Sequence, residues 1–280
     1  MTKISAHLKK SAAILQAGGV AEPSREAKSL LAFALHKNQT FLIAHDDYEL
    51  SDDEETRFRN FIERRAKREP FQYITGSQEF YGLNFIVSKD VLIPRPETEL
   101  LVETAIEILP KNARFCEVGI GSGCISTAIL HESKTSRTVG LDISGKALAV
   151  ARKNAEANEV IERLELRESD VYENLSDEKF DLIISNPPYV SIEEMKTLQI
   201  EVRGYEPAAA LTDGADGLSI IKKIITDAPP FLNEKGFLLL EIGHLQFAEV
   251  KEMFDRNIWQ RVEARLDFQG IERVIKARKI

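Results

Sequence analysis

The sequence has few cysteines, no long hydrophobic run and no excess of positive charge. Its 280 residues include 2 cysteines, which cannot build a disulfide framework and show no Cys/His spacing typical of a metal site. Nowhere do about 18 apolar residues follow one another, so we expect no membrane-spanning helix. The formal net charge is −8, whereas bulk electrostatic binding of nucleic acid needs clustered cations. These shortages favour a reduced, cytoplasmic protein that does not wrap nucleic acid.

The rest of the composition is that of a folded chain. A hydrophobic fraction of 43% and a charged fraction of 29% exclude a disordered polymer, and the length allows one large domain or two ordinary ones. The stretch from Lys9 to Ala21 has a faint signal-peptide outline. However, Gln16 and the Gly18-Gly19 pair dilute its apolar part, so we expect an amphipathic helix that ends at glycine.

Hydrophobic periodicity divides the chain into three parts. Residues 1–78 carry apolar residues at helical spacing and predict a small helical bundle. Residues 79–94 contain two short β-prone runs around Gly82 and predict a β-hairpin linker. In residues 95–280 strands and helices alternate, which predicts an α/β fold with a Rossmann-like, doubly wound and mainly parallel sheet.

A helix predicted to start at Ser51 carries many basic residues. Ser51 and Glu54 match a capping box. One interpretation of the basic face is a docking surface for an anionic partner, and the other, which we favour, is a solvated face balanced by glutamates. Basic and acidic residues nearly cancel up to residue 78, so the net negative charge belongs to the rest of the chain. The residues predicted on the outer face are Arg57, Arg59, Arg64, Arg65, Lys67 and Arg68.

A glycine-rich loop follows the first strand of the alternating region, where a ligand can approach the backbone closely. Its spacing departs from the dinucleotide fingerprint, and the acid that ends the strand would repel a pyrophosphate. S-adenosylmethionine has no phosphate; its carboxylate suits a helix N-terminus and its ammonium suits a nearby acid. We therefore expect this cofactor to contact Glu117, Gly119, Ile120, Gly121, Ser122 and Gly123.

Two further acids follow the next strands of the predicted sheet. Asp142 ends the second strand, where a carboxylate can accept hydrogen bonds from both ribose hydroxyls. Asp170 follows the third strand, where an adenine ring could lie. Each acid alone could be an ordinary loop or helix cap. Three acids at successive strand ends, behind a glycine loop, favour a cofactor site.

The strand Phe180–Ser185 runs directly into the tetrapeptide Asn186-Pro187-Pro188-Tyr189. Two prolines remove N–H donors and leave carbonyl acceptors without competing donors. Asn186 adds a side-chain carbonyl, and Tyr189 adds an aromatic face. Such a rigid group of acceptors suits the binding of an NH₂ group by both hydrogens. A plain Pro-Pro turn would explain the prolines but not the residues that flank them.

The tetrapeptide is similar to the motif of N-methyltransferases that act on planar nitrogens. Together with Leu92–Glu99, Tyr205–Pro207 and Gly236–Gly243, it resembles the release-factor glutamine methyltransferases of the HemK type, and the resemblance covers essentially the whole chain. The segment Pro94-Arg-Pro-Glu-Thr-Glu99 is the most specific, since generic methyltransferases lack it. The resemblance implies a class I S-adenosylmethionine-dependent enzyme with a substrate-docking N-terminal domain. It also implies methyl transfer to the glutamine of the Gly-Gly-Gln loop of release factors.

The resemblance implies a part for each site residue. Residues 119–123 would bind the methionine part of the cofactor, Asp142 the ribose, and Val171 would lie against the adenine. Asn186, Pro187 and Tyr189 would be catalytic: the Asn186 side-chain oxygen and the Pro187 carbonyl accept the two N–H groups, and Tyr189 packs on the amide plane. Asn186 would also border the cofactor. The substrate-binding residues would be Asn186, Pro187, Pro188 and Tyr189. We add Arg95 as a candidate for docking the substrate loop, from its place in the Pro-Arg-Pro segment at the domain junction.

Other functions fit parts of the sequence. A methyltransferase acting on a nucleic-acid base, or on another protein glutamine, would use a similar tetrapeptide, but the net charge and the lack of a basic, aromatic-interleaved stripe disfavour a nucleic-acid substrate. The glycine spacing disfavours a nicotinamide-dependent dehydrogenase. A non-catalytic scaffold would need a damaged loop or tetrapeptide, and both are intact. We expect a metal-free monomer whose partners are release factors and whose product is S-adenosylhomocysteine.

Overall fold

The computed structural model describes residues 3–280. Within this range no helix is both long enough and apolar enough to cross a membrane. Its helices are α1 (Ile4–Ala17), α2 (Pro23–Leu35), α3 (Gln39–Ala44), α4 (Asp52–Ala66), α5 (Phe71–Thr75), α6 (Glu99–Ile108), α7 (Cys124–Glu132), α8 (Gly145–Ala157), α9 (Ile192–Met195), α10 (Ile200–Tyr205), α11 (Ser219–Asp227) and α12 (Phe247–Glu252). Its strands are β1 (Ser77–Phe80), β2 (Leu83–Ile86), β3 (Arg114–Val118), β4 (Arg137–Asp142), β5 (Leu164–Glu168), β6 (Phe180–Ser185), β7 (Leu232–Glu241), β8 (Trp259–Leu266) and β9 (Glu272–Lys279).

The chain forms two compact units. The first is the chain up to Gly76 together with Gln199–Tyr205, and the second is Ser77–Leu198 together with Glu206–Ile280. Helix α10 therefore belongs to the first unit although it follows the tetrapeptide in sequence. The hairpin β1–β2 belongs to the second unit. A segment from the second half of the chain thus completes the helical unit.

Amphipathic helices build the core of the helical unit. Helix α2 buries Leu30, and α4 buries Phe58 and Ile62 in the same cluster. The predicted capping box at the start of α4 is confirmed: Ser51 Oγ accepts a hydrogen bond from the Glu54 N–H, and the Glu54 carboxylate accepts one from the Ser51 N–H at 2.8 Å. Local sequence thus fixes where α4 begins, and its apolar stripe fixes which side faces the core.

One residue of the basic face is not on the outside of α4. The prediction that Arg65 lies on a solvated face is wrong, because its side chain is 7% exposed. Its guanidinium pairs with Glu26 at 2.5 Å and with Glu201 at 3.1 Å. Arg68 also pairs with Glu201, at 2.6 Å. Both carboxylates come from other helices. The charge pattern within α4, which suggested a solvated face, therefore does not reveal these two partners.

The second unit contains a seven-stranded sheet of order β5-β4-β3-β6-β7-β9-β8. Strands β3 to β7 pair in parallel, whereas β9 pairs antiparallel with both β7 and β8. The prediction of a mainly parallel, doubly wound sheet is therefore confirmed. From β3 the chain builds outward to β4 and β5, then returns to the other side of β3 for β6 and β7. The loops after β3 and β6 border this switch point, where such sheets bind ligands.

Alternating residues of the central strands bury both faces of the sheet. Cys116 of β3 and Ile183 of β6 lie in one apolar cluster. Phe115 of β3 and the β6 residues Leu182 and Ile184 lie in another. A sheet covered on both faces explains why these strands are nearly continuous apolar runs. The strands are thereby held in place, and the loops that follow their carboxyl ends can form the site.

The sequence predicts no helix or strand between the tetrapeptide and residue 236. The structure has three α-helices there, of which α11 buries Ile221, Ile224 and Ile225. These residues have the i, i+3, i+4 spacing of a helix face, so the periodicity of the sequence contained this signal. Helices α9 and α10 are too short to show such a stripe.

The buried ion pairs of Arg65 should stabilise the helical unit. Removing one member of a buried pair typically costs about 3–5 kcal/mol because a carboxylate is left without its partner. We expect Arg65→Met to lower the opening free energy of this unit by that order, measured by native-state hydrogen exchange of amides in α2 and α4.

Arg59→Met is the matched control, since Arg59 is on the same helix and its pair with Glu63 is 4.0 Å long and exposed. We expect this change to alter the opening free energy by less than about 0.5 kcal/mol. If Arg65→Met changed the opening free energy as little as Arg59→Met does, the pairs of Arg65 with Glu26 and Glu201 would add no stability.

Candidate active site

Loops at the carboxyl ends of β3, β4, β5 and β6 line a cavity of about 410 Å³. Residues 123, 187 and 189 lie in the same loops but do not line it. Residues from four separate strand ends thus border one space, on both sides of the switch point. The residues predicted for the site that line the cavity are Arg95, Glu117, Gly119, Ile120, Gly121, Ser122, Asp142, Asp170, Val171, Asn186 and Pro188.

The glycine loop after β3 needs its glycines for two different reasons. Gly119 has a φ of 72°, and a Cβ built there would meet no atom of residues 3–280 within 4 Å, its chain neighbours aside. Because Gly119 lines the cavity, that free space is available to a ligand. Gly123 has a φ of 79°, and a Cβ there would lie 3.1 Å from the Ala151 side chain. Gly123 therefore serves the packing of α7 on α8, which agrees with its absence from the cavity wall.

Asp142 closes the glycine loop onto the end of β4. One carboxylate oxygen accepts a hydrogen bond from the Gly121 N–H at 2.8 Å, and the other accepts one from the Ser144 N–H at 2.9 Å. Burial raises the pKa of this carboxyl group, and the two backbone donors oppose that rise. Each oxygen keeps a further lone pair. The side chain can therefore accept two more hydrogen bonds, as a ribose diol would require.

Glu117 is a buried carboxyl group in the cavity wall. Its side chain accepts a hydrogen bond from the Ser126 N–H at 2.9 Å, and the residue is 1% exposed. Burial raises the pKa of Glu117 to about 8, and the neighbouring Asp142 charge adds to the rise. A cation beside this group would favour its ionised form. The position therefore suits an ammonium group and disfavours a phosphate.

Asp170 and Val171 form the part of the wall that follows β5. Asp170 pairs with Lys223 at 2.9 Å. Val171 is 6% exposed and belongs to an apolar cluster of the sheet. The Ser169 hydroxyl donates to the Val171 carbonyl at 3.1 Å and fixes this turn. An apolar surface next to a carboxylate oxygen is compatible with a flat, amino-bearing ring.

The tetrapeptide is held by side chains from distant segments. Asn186 donates through Nδ2 to Thr98 Oγ1 at 3.1 Å. The Tyr189 hydroxyl donates to Glu241 Oε1 at 3.1 Å, and Gln246 Nε2 donates to the Tyr189 carbonyl at 3.0 Å. Within residues 3–280 no donor meets the Asn186 side-chain oxygen, so this oxygen stays available as an acceptor at the cavity wall.

Arg95 lies at the cavity with its guanidinium fixed by Glu206. Arg95 Nη2 donates to Glu206 Oε1 at 2.5 Å, and Glu206 Oε2 accepts a hydrogen bond from the Ile93 N–H at 3.0 Å. The Arg95 side chain is 31% exposed, whereas that of Glu206 is 1% exposed. Glu206 therefore holds Arg95 in place, and other guanidinium nitrogens remain for a ligand. A substrate contact of Arg95 is still a prediction.

Four residues that organise the site are not predicted from the sequence. Thr98, Glu206 and Glu241 lie inside the segments on which the family resemblance was based, so that resemblance was the available signal. Asn154 of α8 had no such signal. Its buried amide donates to the Ser122 carbonyl at 2.8 Å and accepts from the Ile86 N–H at 2.7 Å. It thereby ties the glycine loop to β2.

The sheet, the glycine loop after β3 and the cavity at the switch point give the chain the fold of the class I methyltransferases. The catalytic domain of hMettl16, solved in complex with the MAT2A 3′UTR hairpin 6, has a similar fold with a TM-score of 0.57 and 17% identity, covering 81% of each chain. The family models for the PrmC N-terminal domain and the methyltransferase small domain match residues 7–76 and 96–203.

Two curated relatives give the family. The release factor glutamine methyltransferase of Geobacter sulfurreducens is 42% identical over 260 residues, 93% of this chain and 91% of the relative. The enzyme of the same name from Agrobacterium fabrum is 38% identical over 99% of this chain and 97% of the relative. The chain belongs to the release factor glutamine methyltransferase family, which confirms the resemblance stated from its motifs.

Gly217 allows a second loop to approach the tetrapeptide. Its φ is 81°, and a Cβ there would lie 2.2 Å from the Tyr189 carbonyl oxygen. We expect Gly217→Ala to displace Tyr189 and to lower the rate of methyl transfer tenfold or more, as measured with saturating cofactor.

Gly214→Ala separates this clash from backbone strain. Gly214 has a φ of 80° and free space around a built Cβ. Both substitutions should carry a backbone strain of about 1 kcal/mol, because both place alanine in the left-handed region, and Gly217→Ala adds the clash with Tyr189. The Gly214 variant should keep its activity, and an equal loss in both variants would contradict the proposed contact.

Proposed function

We propose that this protein transfers a methyl group from S-adenosylmethionine to the side-chain amide nitrogen of the glutamine in the Gly-Gly-Gln loop of peptide chain release factors. The observation that carries the proposal is that one cavity joins the strand-end acids to Asn186, whose amide donates to Thr98 and keeps its oxygen free. The names and the extensive similarity of the relatives support the same reaction.

The residues in the cavity fit this cofactor. Gly119 leaves space that a side chain would fill. Glu117 would bind the ammonium group, Asp142 the ribose hydroxyls, and Val171 with Asp170 the adenine. When bound, S-adenosylmethionine would supply an electrophilic methyl group on sulfur, which the amide nitrogen would take in exchange for a proton lost to water. The product is S-adenosylhomocysteine.

The tetrapeptide addresses the poor nucleophilicity of an amide. The nitrogen lone pair is delocalised, as the rotation barrier of about 18–20 kcal/mol shows. In our proposal Asn186 Oδ1 accepts one N–H and the Pro187 carbonyl accepts the other, which orients the nitrogen towards the cavity. Positioning of this kind can supply roughly 7–11 kcal/mol. These hydrogen bonds strengthen as the nitrogen becomes positive, so they favour the transition state over the ground state.

Tyr189 and Pro188 complete the amide site in this proposal. The Tyr189 ring would pack on the amide plane and attract the developing positive charge. Its hydroxyl donates a hydrogen bond to Glu241. Burial and the Glu241 charge raise the pKa of Tyr189, so the phenol stays protonated. The ring is therefore a packing surface and an electrostatic partner rather than a base.

The remaining expectations concern partners and location. We propose that the helical part, residues 1–78, docks the release factor, that residues 79–94 link it, and that residues 95–280 carry the chemistry. We also propose a monomer that acts in the cytoplasm, where release factors work. A net charge of −8 supports a protein substrate over sequence-specific binding of nucleic acid.

Asn186→Ala tests the amide site. We expect kcat for methylation of a release factor to fall about 10²-fold or more, by analogy with loss of one preorganised hydrogen bond, while the Kd of S-adenosylhomocysteine changes less than threefold. Mass spectrometry of the glutamine in the Gly-Gly-Gln loop measures the transfer. Asn257→Ala, at an exposed position, is the control and should behave as the wild type.

Parallel reactions with DNA and RNA of mixed sequence distinguish the substrate classes. One methyl group on the release-factor glutamine, and none on nucleic acid, is the expected result. Near-normal turnover of Asn186→Ala would refute the part given to Asn186, and methylation of nucleic acid alone would refute the proposed substrate.

Glu117 should release a proton when the cofactor site is filled. With a pKa of about 8, Glu117 is protonated at pH 6.5 in the free protein and ionised beside an ammonium group. Titration calorimetry with S-adenosylhomocysteine, in two buffers of different ionisation heat, should therefore show release of close to one proton. Glu117→Gln should abolish the release and weaken binding about tenfold or more, the worth of a hydrogen bond to a charged group.

Glu132→Gln is the matched control, since Glu132 lies exposed at the end of α7. Its proton release and affinity should equal those of the wild type. An undiminished release in Glu117→Gln would show that another group supplies the proton.

A further inference from the structure

Two residues of the tetrapeptide cannot be anchored through their own N–H groups. Pro187 and Pro188 have no N–H, so neither can donate a main-chain hydrogen bond to a neighbouring segment. In the proposed reaction the Pro187 carbonyl must also stay free for the substrate. Pairing of β6 with β3 and β7 ends at Ser185. Apart from the Asn186 side chain, the contacts that fix the tetrapeptide must therefore come from its far end, at Tyr189 and beyond.

Two main-chain hydrogen bonds fix the chain directly after the tetrapeptide to residues 211–219, which we call the anchor loop. The Val190 N–H donates to the Leu211 carbonyl at 2.9 Å, and the Ile192 N–H donates to the Ala215 carbonyl at 2.9 Å. Because the two carbonyls belong to separate parts of the anchor loop, both bonds form only when the loop keeps its own shape. The course of the tetrapeptide thus depends on the shape of the anchor loop.

Asp213 determines the shape of the anchor loop. Its Oδ1 accepts hydrogen bonds from the Ala215 N–H at 2.8 Å and from the Gly217 N–H at 2.9 Å. Its Oδ2 accepts hydrogen bonds from the Ser219 N–H at 2.9 Å and from the Ser219 hydroxyl. One side chain therefore gathers three backbone N–H groups of the loop. Ala215, whose carbonyl receives the Ile192 N–H, is among the residues that it holds.

Gly217 brings the anchor loop onto Tyr189 itself. A Cβ at this glycine would lie 2.2 Å from the Tyr189 carbonyl oxygen, so the two backbones are in direct contact. The same carbonyl oxygen accepts a hydrogen bond from Gln246 Nε2 at 3.0 Å. Two separate segments, the anchor loop and the turn after β7, thus converge on one carbonyl group.

The side-chain amide of Gln246 has a fixed orientation. Its Oε1 accepts a hydrogen bond from the Gly243 N–H at 2.7 Å, while its Nε2 donates to the Tyr189 carbonyl. A backbone N–H can only donate and a carbonyl can only accept, so the opposite orientation would lose both bonds. A Cβ at Gly243 would lie 2.8 Å from Gln246 Oε1 and 3.3 Å from Tyr189 Cδ2. The turn after β7 therefore borders both the carbonyl and the ring of Tyr189.

We propose that Asp213 and Gln246 are positioning residues that hold the Tyr189 end of the tetrapeptide, so that the Pro187 carbonyl and the Tyr189 ring keep the arrangement that an amide substrate needs. This inference rests on the proposed function for its substrate. Asp213 lines the cavity, whereas Gln246 does not. An effect shared by the two residues would therefore arise through Tyr189 and not through contact with a ligand.

Two isosteric substitutions test the proposal by a split between kcat and cofactor binding. Gln246→Glu places an acceptor against the Tyr189 carbonyl, and Asp213→Asn loses at least one backbone hydrogen bond whichever way its amide turns. Because a misplacement of about 1 Å can cost about 10²-fold in rate, we expect each to lower kcat about tenfold or more, with the Kd of S-adenosylhomocysteine within about threefold. The double variant should be much less impaired than the product of the two losses, because both changes act on one end of the tetrapeptide.

Gln78→Glu and Asp255→Asn are the matched controls. Gln78 Nε2 donates to the Glu79 carbonyl at 2.6 Å, and Asp255 Oδ1 accepts a hydrogen bond from the Asn257 N–H at 2.8 Å. These variants make the same two substitutions at backbone contacts away from the tetrapeptide and should leave kcat unchanged. Wild-type kcat in Gln246→Glu or in Asp213→Asn, or an equal loss in the matching control, would overturn the proposal. Gln246→Met, which removes both hydrogen bonds without introducing a charge, replaces Gln246→Glu if that variant does not fold.

A second measurement is independent of the substrate. Hydrogen exchange of the Val190 and Ile192 N–H groups, followed by NMR, should be at least about tenfold faster in Asp213→Asn and Gln246→Glu than in the wild type, while exchange of the Ile184 N–H in β6 stays unchanged. Unchanged exchange at Val190 and Ile192 would overturn the proposal. A wild-type protein that fails to methylate release factor would instead refute the proposed function, and the exchange measurement would still decide whether Asp213 and Gln246 hold the tetrapeptide.

Discussion

Parallel pairing of β3 with both β4 and β6 is the constraint on which the site depends. Because the five parallel strands run in one direction, they end at one edge, and side chains far apart in sequence border one cavity. Strands β4 and β5 are added on one side of β3, and β6 and β7 are added on the other. The loops after β3 and β6 therefore lead away in opposite directions and leave a crevice. The glycine loop supplies one wall of this crevice and the tetrapeptide supplies the other. Apolar clusters on both faces of the sheet fix the strands that carry these two walls.

Buried carboxyl groups are arranged around this crevice with unequal numbers of partners. Glu206 is satisfied by a backbone N–H and a guanidinium. Glu117 and Glu241 have fewer partners, and burial raises the pKa of both. Such groups destabilise a fold that does not use them. Glu117 lines the cavity, which is consistent with a cationic ligand there, whereas Glu241 accepts a hydrogen bond from the Tyr189 hydroxyl behind the tetrapeptide.

Local patterns were sufficient to predict the sheet and much of the candidate site. Alternating strands and helices, a glycine loop and the sequence Asn186–Tyr189 depend on neighbours in the chain, and their consequences follow from backbone chemistry. The order of strands then fixes which loops meet. For this reason Glu117, Asp142 and Asn186 could be expected at one edge before their distances were known.

Long-range pairing could not be predicted from those patterns. In sequence, Arg65 cannot be distinguished from its exposed basic neighbours. Its partner Glu201 is 136 positions away, beyond the reach of any local pattern. The amide of Asn154 and the hydroxyl of Thr98 are likewise ordinary in sequence and acquire their partners only when separate segments meet. Which polar group is buried depends on the tertiary partners, and single-residue propensity does not contain them.

Helix α10 joins the helical unit, although the chain on both sides of Gln199–Tyr205 belongs to the second unit. The chain therefore passes between the units three times rather than once. A single proteolytic cut after Gly76 would leave Glu201 still paired with Arg65 and Arg68. During synthesis the helical unit cannot be completed until residue 205 has left the ribosome. Its folding must overlap in time with that of the sheet, instead of finishing before the sheet begins.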